Sequence, residues 1–323
     1  MKKTLLTICL VWMCFSLSAQ KIIDLSGKWS FSIDRQDNGE KEKWFSHTLN
    51  DFINLPGSMP EKLKGDEVTA KTQWTGSLYD SSYYYNPYME KYRKEGNIKF
   101  PFFLTPDKHY VGAAWYQKEV NIPADWKGER ILLFLERPHI ETTVWVNGQK
   151  TGMQNSLCVP HQYDITRYVR PGKCTITIRV DNRIKEINVG PDSHSITDQT
   201  QGNWNGIVGR ICLQTTPKTY FDDIQIYPEP EQKLARVKVV IKGAGITKIK
   251  LSAESFNTDK KHIVPAIQQE IKLNKGVTET EMVLPMGNDM LLWDEFHPAL
   301  YKLKAEVTNG KKTEIKEIQF GMR

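Results

Sequence analysis

Apolar and polar residues alternate with a period of two through most of the chain. In Cys174–Thr175–Ile176–Thr177–Ile178–Arg179–Val180 every second residue is apolar, which predicts a strand with one face buried and the other wet. Val144–Trp145–Val146 predicts another strand. The Asn147–Gly148 that closes it is the dipeptide best suited to the positive φ angles of a tight hairpin. Pro171–Gly172 marks a turn just before the Cys174 strand. Nearer the N-terminus, Trp29, Phe31 and Ile33 share one face of a first strand, and Asn54–Leu55–Pro56–Gly57 ends the next segment in a turn. Alternation returns at Trp115–Tyr116–Gln117–Lys118–Glu119–Val120 and continues to Val180. A polar stretch over 181–209 then precedes a strand at Ile211–Cys212–Leu213. Beyond Pro217 the strands shorten and gain lysine. Val237, Val239 and Ile241 alternate with Lys238 and Lys242, and Tyr301, Leu303, Ala305 and Val307 with Lys302, Lys304 and Glu306. No segment longer than two turns carries a helical period. The pattern predicts an all-β protein with a domain boundary near Pro217. The second part has room for about seven short strands, the size of an immunoglobulin-like sandwich.

From Ser58 to Val111 the alternation dissolves. The segment is dense in aromatic residues, from Trp74 through Tyr83–Tyr84–Tyr85 and Phe102–Phe103 to Tyr110. An irregular segment of this length is usually functional or packed against something. Its rings would serve either as stacking platforms for a ligand or as buried area at an interface.

Composition sets the outer bounds. The 323 residues are 39% hydrophobic and 25% charged, which suits a globular protein of two domains without long disorder. The net charge of +6 is spread along the chain with no dense basic block, so a nucleic-acid groove is not expected. Lys2 and Lys3, the apolar run from Leu5 to Leu17, and Ser18–Ala19 before Gln20 read as a secretory signal peptide over 1–19, delivering the chain to the periplasm. A lipid anchor on Cys14 fits less well, because Val11, Trp12 and Met13 stand where small residues would be needed. No other stretch is long and apolar enough to span a membrane.

Cys158, Cys174 and Cys212 remain after the signal segment, with no metal-like spacing. Cys174 and Cys212 lie in strand patterns and read as buried thiols. A disulfide between two of the three stays open. His161, His194 and His297 show no spacing suited to a metal, and no Ser–His–Asp arrangement is legible. No cofactor is expected.

Several motifs, in order, resemble glycoside hydrolase family 2, which includes β-galactosidases, β-glucuronidases and β-mannosidases. Leu25–Ser26–Gly27–Lys28–Trp29–Ser30–Phe31 resembles the opening of its sugar-binding domain. Gly112–Ala113–Ala114–Trp115–Tyr116 is similar to its G-x-x-WY strand. Val144–Trp145–Val146–Asn147–Gly148 with Gly152 resembles its VWVNG hairpin, and Tyr163–Asp164–Ile165–Thr166 its D-I-T segment. Trp204–Asn205–Gly206–Ile207 with Arg210 is similar to its W-x-G-I-x-R motif, with Gly209 as one extra residue. Leu292–Trp293, His297–Pro298–Ala299–Leu300–Tyr301 and Phe320–Gly321–Met322–Arg323 resemble its LW, P-x-LY and FG-x-R segments.

The resemblance implies a jelly-roll (galactose-binding-like) β-sandwich over 20–217 and an immunoglobulin-like β-sandwich over 218–323. It implies a place in the hydrolysis of O-glycosyl bonds in carbohydrates. In that family a catalytic barrel follows FG-x-R and supplies the acid/base Glu from an Asn–Glu dipeptide; none occurs here. Retaining glycosidases need two carboxyl groups roughly 5–5.5 Å apart. Asp222–Asp223 and Asp294–Glu295 are adjacent and should point to opposite faces. Glu279 and Glu281 share a face but lie side by side. All three pairs read as solvated surface.

The chain is therefore expected to be the non-catalytic front of a secreted family 2 hydrolase, supporting and partly lining the site of a barrel. A free-standing carbohydrate-binding module and an assembly sandwich making homo-oligomer contacts are the alternatives. In the family, a loop before the GI motif touches sugar hydroxyls, often through an Asp. Here that loop is Asp198–Gln199–Thr200–Gln201–Gly202–Asn203–Trp204, and Thr200 stands at the Asp position with Asp198 two residues earlier. Asp198, Gln201, Asn203 and Trp204 are the candidate substrate contacts, with a core role for Trp204 as the competing reading. A surface shaped for a barrel would be apolar, so the isolated chain is expected to self-associate. Sedimentation velocity showing a clean, highly soluble monomer would contradict this.

Overall fold

A computed structural model describes residues 21–76, 81–185, 193–194 and 197–323. The expected signal segment lies outside the described residues. The chain divides into two units, Lys21–Thr215 and Thr216–Arg323.

The first unit is a sandwich of two main sheets. In one, β1 (Ile22–Asp24) and β4 (Gly57–Ser58) both pair antiparallel with β13 (Gly206–Thr216), and β8 (Arg130–His139) pairs antiparallel with β11 (His161–Asp164). The other runs β10 (Gln149–Asn155), β9 (Glu141–Val146), β12 (Gly172–Asp181), β7 (Ala113–Ile122), β2 (Gly27–Asp34) and β3 (Asp51–Leu55), antiparallel throughout. A two-stranded ribbon, β5 (Asp66–Glu67) with β6 (Lys108–His109), stands apart. Inward residues of both sheets, among them Phe31, Tyr116, Val144, Ile178, Leu133 and Leu213, form one core. This is a jelly-roll sandwich. The β9–β10 hairpin turns at Asn147 and Gly148, whose φ angles are 51° and 76°, as the dipeptide predicts.

One expectation needs correction. The outer face of the six-stranded sheet is wet only in part: Lys173, Glu119 and Asn54 are exposed, but Thr177, Arg179 and Asp181 are buried along with their inward neighbours, and all of β9 is buried. The connection between β2 and β3 folds back over this face. Trp115 and Trp145, 4.9 Å apart, form a second small core with Leu49, Trp44 and Phe45. The Asp34 carboxylate pins the connection, accepting from Trp115 Nε1 and from the amides of Asn38 and Gly39, each at 2.9 Å. A Cβ on Gly39 would lie 2.5 Å from Trp115 Nε1, so the crossing requires glycine. Alternation therefore marked the strands correctly but could not show that a polar face would be roofed.

The same roof buries charge. Arg179 pairs with Asp37 (2.6 Å), Glu141 (3.3 Å) and Asp181 (3.0 Å), and Lys185 with Asp181 (2.8 Å) and Glu141 (3.0 Å). Arg183 bridges Asp37 and Asp181. Every one of these charges faces at least one opposite charge, as burial demands.

In the second unit, β14 (Tyr220–Glu229), β15 (Leu234–Ser255), β16 (Ile263–Pro285), β17 (Tyr301–Asn309) and β18 (Lys312–Phe320) form the sheet. The seven short strands expected from the sequence occur as five, because two of them bend instead of breaking. Gly243 of β15 faces Gly276 of β16 at the bend, next to a register shift. On one side of it, 234–242 pairs with β14 and with 277–285; on the other, 245–255 pairs with 263–273 and with β17. The two halves pack on one core, where Val237, Ile241 and Leu284 join Leu251, Leu303 and Val307. Counted by halves, this is a seven-segment immunoglobulin-like sandwich. Cys174 and Cys212 are buried, Cys158 is exposed, and all three are free thiols.

Burial alone would raise the Asp181 carboxyl. Hydrogen bonds from Arg183 and Lys185, with the Arg179 charge, outweigh it and hold the group well below its ordinary 3.8. A depressed folded-state pKa gives stability that is present above 3.8 and is lost as pH falls below it. Asp181→Asn is expected to cost about 3–5 kcal/mol at neutral pH by leaving three cations under-paired. It should also flatten the fall in stability below pH 4, which urea denaturation across pH would measure.

Candidate functional site

At Asn182 and around 197–205, buried backbone lies outside the strand ladders, so these groups and those of Tyr110–Gly112 need other partners. Three buried asparagines provide them. Asn182 Nδ2 donates to Tyr110 O (2.8 Å) and Asn203 Oδ1 (3.0 Å), while its Oδ1 accepts from the Gly112 amide (2.8 Å). Asn203 Nδ2 donates to Thr75 Oγ1 (3.0 Å) and Asn182 O (3.1 Å). Asn205 Nδ2 donates to Gly112 O and Val180 O, both at 2.9 Å, and its Oδ1 accepts from Tyr116 Oη (2.7 Å). These amides tie both ends of the aromatic segment, at Thr75 and at Tyr110–Gly112, to the ends of β7 and β12 and to the 197–205 loop.

Asp198 closes the loop. One carboxylate oxygen accepts from the Thr75 amide (2.5 Å) and the other from the Asn203 amide (2.7 Å). Burial raises its pKa, against the pull of those amides and of His109. Burial also lowers the pKa of His109, which keeps that ring neutral. His109 Nε2 therefore carries the proton that it donates to Gln73 O (3.1 Å). Thr200 turns its hydroxyl back onto His194 O (2.8 Å).

The four candidate contacts thus share one loop but not one role. Asp198 and Asn203 are buried with their polar atoms engaged inside the chain. Gln201 is exposed and Trp204 half-buried. Trp204 is stacked on His139, with ring centroids 4.6 Å apart and planes 25° apart. His139 Nδ1 lies 2.9 Å from Trp204 O and must donate to it, since a carbonyl only accepts. The indole is held from behind by a fixed, neutral ring. An indole so held, on a loop that also presents a free amide, suits a flat ligand with one apolar face and polar edges.

The sequence pattern did not point to His139, Thr75, Asn182 or Asn205. The available signal was slight: Asp181–Asn182 continues a strand pattern with polar residues that turn out buried. His161 is buried against Thr142 Oγ1 (2.6 Å), and His297 is exposed beside Asp294. Among the described residues no cluster of three or more His, Cys, Asp or Glu could hold a metal.

The acidic pairs are solvated. Glu279 meets Lys238, and Asp294 caps the amides of Phe296 and His297. A bulge between Phe221 and Asp223 leaves Asp222 and Asp223 both exposed, in place of the opposite faces that regular alternation predicted.

Comparison with known proteins matches residues 22–217 to the sugar-binding domain of glycosyl hydrolases family 2. Residues 219–323 match a second model of glycosyl hydrolases family 2. Human β-glucuronidase is 24% identical over 88% of this chain and 41% of its own length. A β-galactosidase of Thermoanaerobacter pseudethanolicus is 24% identical over 65% of this chain and 28% of its own. The solved β-glucuronidase of Ruminococcus gnavus superposes with a TM-score of 0.59 at 18% identity, over 94% of this chain and 45% of that one. The chain spans less than half the length of these relatives.

Burial lowers the His139 pKa to about 4, against the weaker upward pull of its bond to Trp204 O. Because the folded pKa is depressed, the stacked arrangement is stable above the ordinary 6.5 and loses its support as pH falls through 4. An NMR titration of the His139 imidazole is expected to show a midpoint near 4. Trp204→Ala, which uncovers the ring, should move that midpoint back toward 6.5.

Proposed function

The chain belongs to glycosyl hydrolase family 2, and we propose that its two sandwiches form the non-catalytic front of a hydrolase of β-linked glycosides, β-glucuronidase- or β-galactosidase-like. On this reading they support a catalytic barrel and line part of its site. The observation that carries it is the Trp204 platform, stacked on neutral His139 and borne on the loop that leaves the Gln201 amide free. A pyranose offers an apolar C–H face to an indole and hydroxyls to an amide. Asp198 and Asn203 serve this site by holding the loop, and Gln201 and Trp204 by touching sugar. The ordered match of both family models across 22–217 and 219–323 supports the same assignment. The basic, apolar, then small-residue order of residues 1–19 supports export to the periplasm, where extracellular glycans arrive.

Hydrolysis requires a facing pair of carboxyl groups; the pairs at 222–223, 279/281 and 294–295 stand on solvated surface, and buried Glu141 and Asp181 are both engaged by Arg179 and Lys185. The purified chain is expected not to hydrolyse 4-nitrophenyl β-glucuronide or β-galactoside. It should bind methyl β-glucuronide or methyl β-galactoside by NMR titration, and lose that binding in Trp204→Ala. Turnover of either chromogenic substrate would overturn the non-catalytic assignment. Absence of binding to both methyl glycosides would overturn the assignment of Trp204.

A further inference from the structure

The aromatic segment splits its rings into two sets. Trp74 meets Phe100 and Phe102 edge-on at 4.8 and 4.9 Å, and Phe100 stacks on Tyr83 at 4.6 Å. These rings give the segment its own small core, so its fold does not require the others. Phe103 and Leu104 stay 90% and 78% exposed. They sit on a pre-shaped turn: Pro101 and Pro106 flank it, and the Phe100 amide closes it by donating to Thr105 Oγ1 at 3.1 Å. A turn held this way loses little freedom when it binds. The Phe103 amide donates to Gln199 O at 3.3 Å, which sets the turn against the loop that bears Gln201 and Trp204.

The junction beneath has unused hydrogen-bonding capacity. His109 Nδ1, Thr197 Oγ1 and Trp74 Nε1 have no hydrogen-bond partner among the described residues. His109 and Thr197 are more than nine-tenths buried, and the His109 ring lies 4.6 Å from that of Trp74. Buried polar groups are as a rule paired.

We propose that Phe103 and Leu104 form a second sugar subsite continuous with the Gln201–Trp204 loop, so that the ligand is an oligosaccharide and not a single sugar. The inference rests on the reading of Trp204 as a sugar platform. Its test is the dependence of affinity on ligand length, measured by titration calorimetry on the full chain. The probes are methyl β-glucuronide, methyl β-galactoside and the β-linked tetrasaccharide of each sugar. The tetrasaccharide of the preferred sugar is expected to bind more tightly than its methyl glycoside. Phe103→Ala should weaken the tetrasaccharide by about 3- to 10-fold, the scale of one lost aromatic contact, and leave the methyl glycoside unchanged. Trp204→Ala should weaken both. Phe103 is exposed, so its loss leaves the fold intact, and unchanged circular dichroism would verify this. Equal affinity for the short and long ligands, or a Phe103→Ala variant that binds the tetrasaccharide normally while Trp204→Ala does not, would overturn the second subsite alone. Failure of the parent chain to bind any of the four would remove the Trp204 reading and this inference together.

Discussion

The buried amides of Asn182, Asn203 and Asn205 answer a constraint that strands do not meet. At the end of β12 and around 203–205, buried backbone lies without a ladder, and each buried N–H and C=O still needs a partner. An asparagine carries two donors and a two-lone-pair acceptor on a short, stiff stem, so it can stand in for a missing strand at one point. Here each of the three amides spends both donors and its acceptor within the chain. They join the aromatic segment, the strand ends and the 197–205 loop. Removing one leaves several buried partners unpaired, at roughly 1–3 kcal/mol for each group. Both the place of Trp204 and the anchorage of the Phe103 turn depend on them.

The outer face of the six-stranded sheet solves a related problem by the opposite means. It is polar by pattern, yet the β2–β3 connection covers part of it, so the charges beneath had to be paired one against another. A paired buried charge adds little net stability over an apolar residue of the same size, but losing one partner is costly. The network therefore fixes how the connection lies more than it strengthens the sheet. Asp181 and Asn182 are adjacent. The first belongs to the charge network and the second to the amide network, so the end of β12 is where the two meet.

The fold was largely legible in the chain. Period-two alternation located the strands, Asn147–Gly148 the hairpin, and the ordered motifs the family. The roof was not legible, because alternation in β12 reports only that one face is apolar; whether the other meets water depends on a connection whose Asp37 lies 142 residues before Arg179. In the second unit, about seven short strands were expected, and five occur, two of them longer strands that bend at Gly243 and Gly276. At the site, the loop could be found from Trp204–Asn205–Gly206–Ile207, but the division of labour within it could not. Asp198 and Gln201 are both polar loop residues in sequence. Only the positions of the Thr75 and Asn203 amides decide that one turns inward.

That inward turn bears on what the loop can recognise. A carboxylate facing a ligand would favour hydroxyl donors and repel an anionic sugar. The Asp198 carboxylate is spent on two backbone amides and buried, and Thr200 turns its hydroxyl onto His194 O. What the loop leaves toward solvent is the Gln201 amide and the half-buried Trp204 indole, both uncharged. His139 behind that indole is neutral above its depressed pKa, so it adds no cation either. On the proposed reading, this surface contributes shape and hydrogen bonding without a charge preference. It would accept a uronate and a neutral hexose alike. Discrimination between them would then have to come from charged groups outside this loop, such as those of a barrel, where a cation near the sugar carboxylate would separate the two far more strongly than an amide could.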